Sequence, residues 1–195
     1  MRGKQPAVES VFLNVPFDAA YERQFVALGR TPRCVLEIPD SGVGRLSRIL
    51  SMIESCGASM HDLCRQGQPA RFNMPFELGL ACAFAAKDKR YSFFVLDRKA
   101  YRLDIALSDL KGRDHLIHGG TVRGTIARVC DVLRTPGRGP QPDQIFRVHR
   151  ELLIVANELK KAHAQKTIYQ RAAYLELVAA ASKLCVAHGI LRNSA

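Results

Sequence analysis

Four short runs rich in β-branched, aromatic and other apolar residues, each followed by a stretch of helical periodicity, constrain this chain more than any other feature. Residues 10–15 (SVFLNV), 33–38 (RCVLEI), 58–63 (ASMHDL) and 91–96 (YSFFVL) read as strands. Tyr21, Phe25 and Leu28 fall at helical spacing within 19–28, as do Val43, Leu46, Ile49, Leu50 and Ile53 within 43–56. Two further helices are expected, one beginning near residue 73 and running to about 86, the other at 121–133. The polar connection 104–120 carries one more short strand candidate at 115–118. Strands that alternate with helices predict a parallel sheet covered on both faces, because each crossover between parallel strands lays a helix against the sheet.

That order predicts an α/β fold, a flavodoxin/Rossmann-like parallel sheet flanked by helices, over residues 1–135. Residues 135–142 (TPGRGPQP) hold three prolines and two glycines, so a linker is expected at 136–142. Beyond it Ile145, Val148, Leu152, Val155 and Leu159 recur every three or four residues. Ile168, Ala172, Leu175, Ala179 and Val186 resume the pattern after a break near 164–166. A C-terminal helical hairpin over 143–195 follows, too small to bury its own stripe. It is expected to dock on the sheet or to join copies of the chain into a homo-oligomer through the helices.

Composition narrows the partners. The longest apolar run, around 78–86, falls short of the ~20 residues that a membrane span requires, and the polar N-terminus lacks the apolar core of a secretion signal. The six cysteines are scattered without a C-x-x-C pair, which fits reduced thiols, a cytoplasmic location and no metal. A net charge of +11 spread along the chain suits a phosphate-bearing ligand. Aromatic residues do not interleave with the basic ones and no nucleic-acid module is visible, so nucleic acid is not an expected partner.

The segment 71–86, RFNMPFELGLACAFAA, carries the chemistry. It places Glu77 in the expected first turn of a helix that is otherwise almost wholly apolar, with Asn73 as its cap and Pro75 early in it. Such a helix is expected to be buried on most sides, and an ionised carboxylate there is costly unless something compensates it. The plainer alternative is that Glu77 only complements the helix dipole. In open parallel sheets ligands sit beyond the carboxyl ends of the strands, which collects Asn14, Pro16, Phe17, Asp18, Asp40, Ser41, His61, Asp62, Glu77 and Asp97 on one rim. A G-x-G-x-x-G after the first strand, a Walker A loop and a G-x-S-x-G elbow are all absent, which disfavours dehydrogenases, P-loop enzymes and serine hydrolases. Ser41-Gly-Val-Gly-Arg45 is a weak glycine-bearing signal after the second strand. Asp18 also suits a helix cap, His61 a buried histidine, Tyr21 the core, and Asp62 a bond to the next loop's amides.

A short first strand ending in a polar turn, an Asp-bearing third strand and the helix Glu77-Leu78-Gly79-Leu80-Ala81 resemble the nucleoside 2-deoxyribosyltransferase family and the TIR-type NAD glycohydrolases. The resemblance covers residues 10–135 in layout. It implies that Glu77 acts at the anomeric carbon of an N-glycoside, that Asp62 assists, and that the first loop, with Asn14, Phe17 and Asp18, binds substrate; His61, Arg71 and Asn73 join the expected substrate-binding residues on their own chemistry. It also implies a nucleotide or nucleoside ligand, with NAD as a substrate rather than a cofactor, and a role in bacterial defence for the TIR-type branch. Two features depart from the pattern: Arg71-Phe-Asn-Met stands where the transferases carry Asp-x-Gly-Thr, and the chain has no Trp. Arg71 suits a phosphorylated nucleotide, because a guanidinium matches phosphate oxygens. The rival expectation is an inactive nucleotide-sensing or TIR-like interaction module.

Overall fold

The computed structural model describes residues 10–27, 32–37, 44–64, 72–133 and 139–191. Strands β1 (Val11–Asn14), β2 (Pro32–Arg33), β3 (Ala58–Asp62), β4 (Ser92–Asp97) and β5 (Leu116–Ile117) form one sheet, every neighbouring pair parallel, in the order β2-β1-β3-β4-β5. This is the doubly wound flavodoxin-like order. Helices α1 (Glu22–Ala27), α2 (Arg45–Ser55), α3 (Asn73–Lys87), α4 (Arg102–Ala106) and α5 (Val122–Leu133) connect or follow the strands. Two long helices close the chain, α6 (Pro142–Ala162) and α7 (Arg171–Ala187).

Residues of β1 and β3 are buried on both faces, as a sheet covered by helices on each side requires. The two-residue period then sorts them. Phe12 turns toward Ile49, Met52 and Ile53 of α2 and Ala81 of α3. Val11, Leu13 and Met60 turn the other way, into a core shared with Phe25 of α1, Val148 and Leu152 of α6, and Tyr174 and Leu177 of α7. Fully burying side chains of this size contributes about 1.5–3 kcal/mol each.

The C-terminal helices therefore dock on the sheet's α1 and α5 side. The predicted stripe of α6 is covered by the same chain, whereas α7 turns Ala173, Tyr174, Leu177 and Cys185 inward and leaves the predicted Ala172, Leu175 and Ala179 exposed. Polar ties fix the seating. Glu22 of α1 pairs with Lys160 of α6 and accepts the Ile168 N–H at 3.2 Å. The His149 Nε2–H donates to the Arg23 carbonyl at 2.9 Å, and the Tyr169 hydroxyl donates to the Asp18 carbonyl at 3.1 Å. Pro142 opens α6 behind a reciprocal Gln141–Gln144 capping box, and the break expected near 164–166 falls between α6 and α7, where Ala164 turns at φ 51°.

Three expectations are corrected. The second strand ends at Arg33 and does not run to residue 38, because Glu37 folds back to accept from the Cys34 N–H at 3.0 Å and from Arg33, closing a turn. The polar connection 104–120 is not plain loop: it holds the end of α4 and a 3-10 turn at Ser108–Leu110 before β5. Leu103, Leu107 and Leu110 pack on Leu63, Met74 and Leu78, an i, i+4, i+7 pattern that the surrounding charges obscured. Finally, α3 buries one face only. Met74, Glu77, Leu78 and Ala81 point inward, while Phe72 and Phe76 stand 80% and 55% exposed. Asn73 is the first helical residue and not its cap, so Glu77 lies in the second turn. Among the described residues no helix is long and apolar enough to cross a membrane.

Candidate functional site

A cavity of about 480 Å³ opens where the carboxyl end of β1 meets the starts of α2 and α3. Strand β1 lies between β2 and β3, so the chain leaves it toward one side and returns on the other. In this strand order the β1/β3 boundary is the topological switch point, where diverging connections leave a crevice for a ligand. Leu13, Val15, Phe17, Val35 and Met74 give the cavity apolar walls, and Asn14, Arg45, Asn73 and Glu77 supply its polar groups. Its size is that of a small-molecule site.

Glu77 is 4% exposed and still lines this cavity. Its Oε1 stands 3.3 Å from Nη2 of Arg45, whose side chain is 53% exposed. Burial pushes the Glu77 carboxyl above its ordinary value, against the charge and hydrogen bond of Arg45 and a hydrogen bond from Asn73. Helix-dipole support is weak in the second turn, so Arg45 and Asn73 do most of the compensating.

Asn14 is oriented by a buried relay. The register of β1 against β3 sets Asn14 beside His61. The Asn14 Nδ2 group donates to the Met74 carbonyl at 2.9 Å and to His61 Nδ1 at 3.0 Å. With both amide hydrogens engaged, Oδ1 is the group that Asn14 offers to the cavity, as an acceptor. His61 then carries its proton on Nε2, which donates to the Ser59 hydroxyl at 2.8 Å. Burial drives the His61 pKa down to about 3, so the ring is neutral. His61 is fully buried and holds Asn14 in place; it does not line the cavity.

The structure separates the two carboxylates that the sequence paired. Asp62, one residue on from His61, points to the opposite face of the sheet. There it accepts from the Tyr21 hydroxyl, from His118 Nε2 at 3.3 Å and from the Cys64 N–H at 3.0 Å. Burial works against ionisation, yet His118, Tyr21 and Cys64 together hold the Asp62 carboxyl below its usual range. Tyr21 is core, its own pKa pushed up by burial and by Asp62. Donor atoms of Asp62, Cys64 and His118 lie within 4.8 Å of one another, a spacing that a metal ion would accept. The His118 hydrogen bonds argue otherwise. Its Nδ1 accepts from the Gly120 N–H at 3.0 Å, which puts the ring proton on Nε2, between the ring and Asp62, where a cation needs a lone pair. The group is a clasp that ties the end of β3 to the start of α5.

Of the other residues singled out from the sequence, Phe17 and Asn73 line the cavity, and Phe17 is braced edge-on by Phe25 and Tyr169 at 5.9 and 5.4 Å. Asp18 accepts the Tyr21 N–H at 3.0 Å and turns the chain into α1. Asp97 is buried and bound by Arg102 at 2.7 Å and by the Arg98 N–H. Arg71, Asp40 and Ser41 lie outside the described residues. Arg45, the first residue of α2, is the site residue that sequence reasoning does not single out; the signal that could have found it is the sequence Ser41-Gly-Val-Gly44 directly before a helical stripe. The chain matches no protein-family model, and no curated protein shows significant similarity to its sequence.

Proposed function

We propose that the cavity binds a nucleotide and that Glu77 cleaves or transfers at the bond between its ribosyl carbon and base. The observation that carries this reading is a buried carboxylate facing a nucleotide-sized cavity at the switch point. Breaking an N-glycosidic bond develops oxocarbenium character at the anomeric carbon. An ionised Glu77 stabilises that charge, or attacks the carbon to form a glycosyl ester that water then hydrolyses. Arg45, half in solvent, can exchange its Glu77 contact for a substrate phosphate, while the Asn14 Oδ1 accepts from a ribose hydroxyl.

The position of Asp62 sharpens the substrate class. With Asp62 behind the sheet, Glu77 is the sole carboxylate of the lining among the described residues, and none of the others there is an acid able to protonate a departing base. A pyridinium base such as the nicotinamide of NAD⁺ needs none, because it leaves with the bonding pair as a neutral molecule. NAD⁺ is therefore the first substrate to test, by chromatography for free base, with Glu77→Gln run alongside. Release that depends on Glu77 supports the proposal, and the absence of release with every nucleotide tried, in protein that binds them, overturns it.

A second reading rests on the Arg45–Glu77 pair. If that contact holds Glu77 neutralised in the bound state, the cavity senses a nucleotide without turnover. Nucleotide-dependent thermal stabilisation without base release is its signature.

A further inference from the structure

On the opposite side of the molecule from α2 and α3, a second hollow of about 500 Å³ lies between α1, α6 and the end of α7. Three arginines surround it: Arg23 from α1, and Arg147 and Arg150 one turn apart on α6. The carboxylates around them are engaged elsewhere. Glu22 pairs with Lys160, Asp143 with Arg123, and Glu151 with His188 at 2.8 Å. Among the described residues no carboxylate pairs with any of the three guanidinium groups. Its three arginines and Glu151 set three formal positive charges against one negative, or +2. Like charges gathered around one concave site repel each other unless an anion from outside neutralises them.

The rest of the lining indicates what such an anion carries. Leu153 and Ile154 supply its apolar lining, and Ile154 is 61% exposed. A guanidinium fork matches phosphate oxygens in pairs, and the apolar lining offers contact area to a flat organic group. We infer that this hollow is a second ligand site, taking an organic anion with two or more phosphate groups, independent of the Glu77 cavity.

Isothermal titration of the full chain with ATP, inorganic tripolyphosphate and a 20-nucleotide oligouridine tests this. An Arg45→Ser background keeps phosphate binding at the Glu77 cavity out of the signal. ATP is expected to bind more tightly than tripolyphosphate, and Arg147→Ser/Arg150→Ser to weaken it at least tenfold. Ile154→Ser should weaken ATP but leave tripolyphosphate unchanged. Arg147→Lys/Arg150→Lys, which keeps the charge, should retain tripolyphosphate binding and serves as the control for folding. Absence of ATP binding, or ATP binding that the double serine variant leaves intact, overturns the site. Oligouridine binding that is tenfold tighter than ATP and lost in the double serine variant overturns the small-anion assignment in favour of a nucleic-acid surface.

Discussion

Lowering the pH from 7 to 5 should expose the role of His61 as a buried, neutral strut. In the unfolded chain its pKa is about 6.5, whereas burial in the fold holds it to about 3. Between those values the unfolded state binds a proton that the folded state refuses, so stability falls as the pH drops. At pH 5 the unfolded ensemble gains about 2 kcal/mol from this single group, and at pH 4 about 3 kcal/mol, while the folded state gains almost nothing. For a chain of this length, 2 kcal/mol corresponds to a melting temperature lower by about 4–8 °C. Other groups titrate in the same range, so the assay is a difference: urea midpoints of the native chain and of His61→Gln at pH 7, 6 and 5. Gln can accept from Asn14 and donate to Ser59 but does not titrate. The native chain should start the more stable, and its advantage should shrink by about 2 kcal/mol between pH 7 and 5. An advantage that does not change with pH would mean instead that His61 is hydrated or already protonated in the fold, and not a neutral buried strut.

Asn14→Ala should destabilise by about 2–5 kcal/mol, since it strips two hydrogen bonds from partners buried in the core; chemical denaturation reads it. Glu77→Gln should leave the protein at least as stable at pH 7, and its relative advantage should grow as the pH rises above about 4.5, because a carboxyl with a raised folded pKa loses stability as it ionises. Asp62→Asn should cost about 3 kcal/mol by removing the charge from a buried clasp. The stability that ionised Asp62 contributes in the native chain should fade only as the pH falls through its depressed folded pKa. That variant should retain Glu77-dependent activity at temperatures where it stays folded. Leu152→Ala in α6 should cost about 2–5 kcal/mol and loosen the whole sheet in hydrogen exchange, because the C-terminal helices share its core.

The layer order was legible because its signals are local: alternating apolar runs and helical stripes state their own periods. What escaped was set by neighbours distant in sequence. His61 and Asp62 read alike at the end of one strand, and the pleat sends them to opposite faces, one under the cavity and one behind the sheet. That divergence was implicit in the two-residue period, but which face meets Glu77 depends on where α3 lands. Asn73 looked like a cap, yet the helix begins on it, which moves Glu77 a turn inward and leaves Arg45 as its counter-charge. The almost wholly apolar run after Glu77 made α3 look buried on most sides, although the fold leaves Phe72 and Phe76 outside. The second strand shortened because Glu37 bonds back to Cys34, a side-chain-to-backbone competition that apolar content does not reveal.

The proposed function has Glu77 held in the cavity for chemistry at a ribosyl carbon. The most direct measurement is release of free nicotinamide from NAD⁺ by the native chain and by Glu77→Gln, at matched concentration and with matched circular dichroism spectra. Release by the native chain and a loss of at least a hundredfold in the variant are expected. Equal release by both proteins would contradict that function.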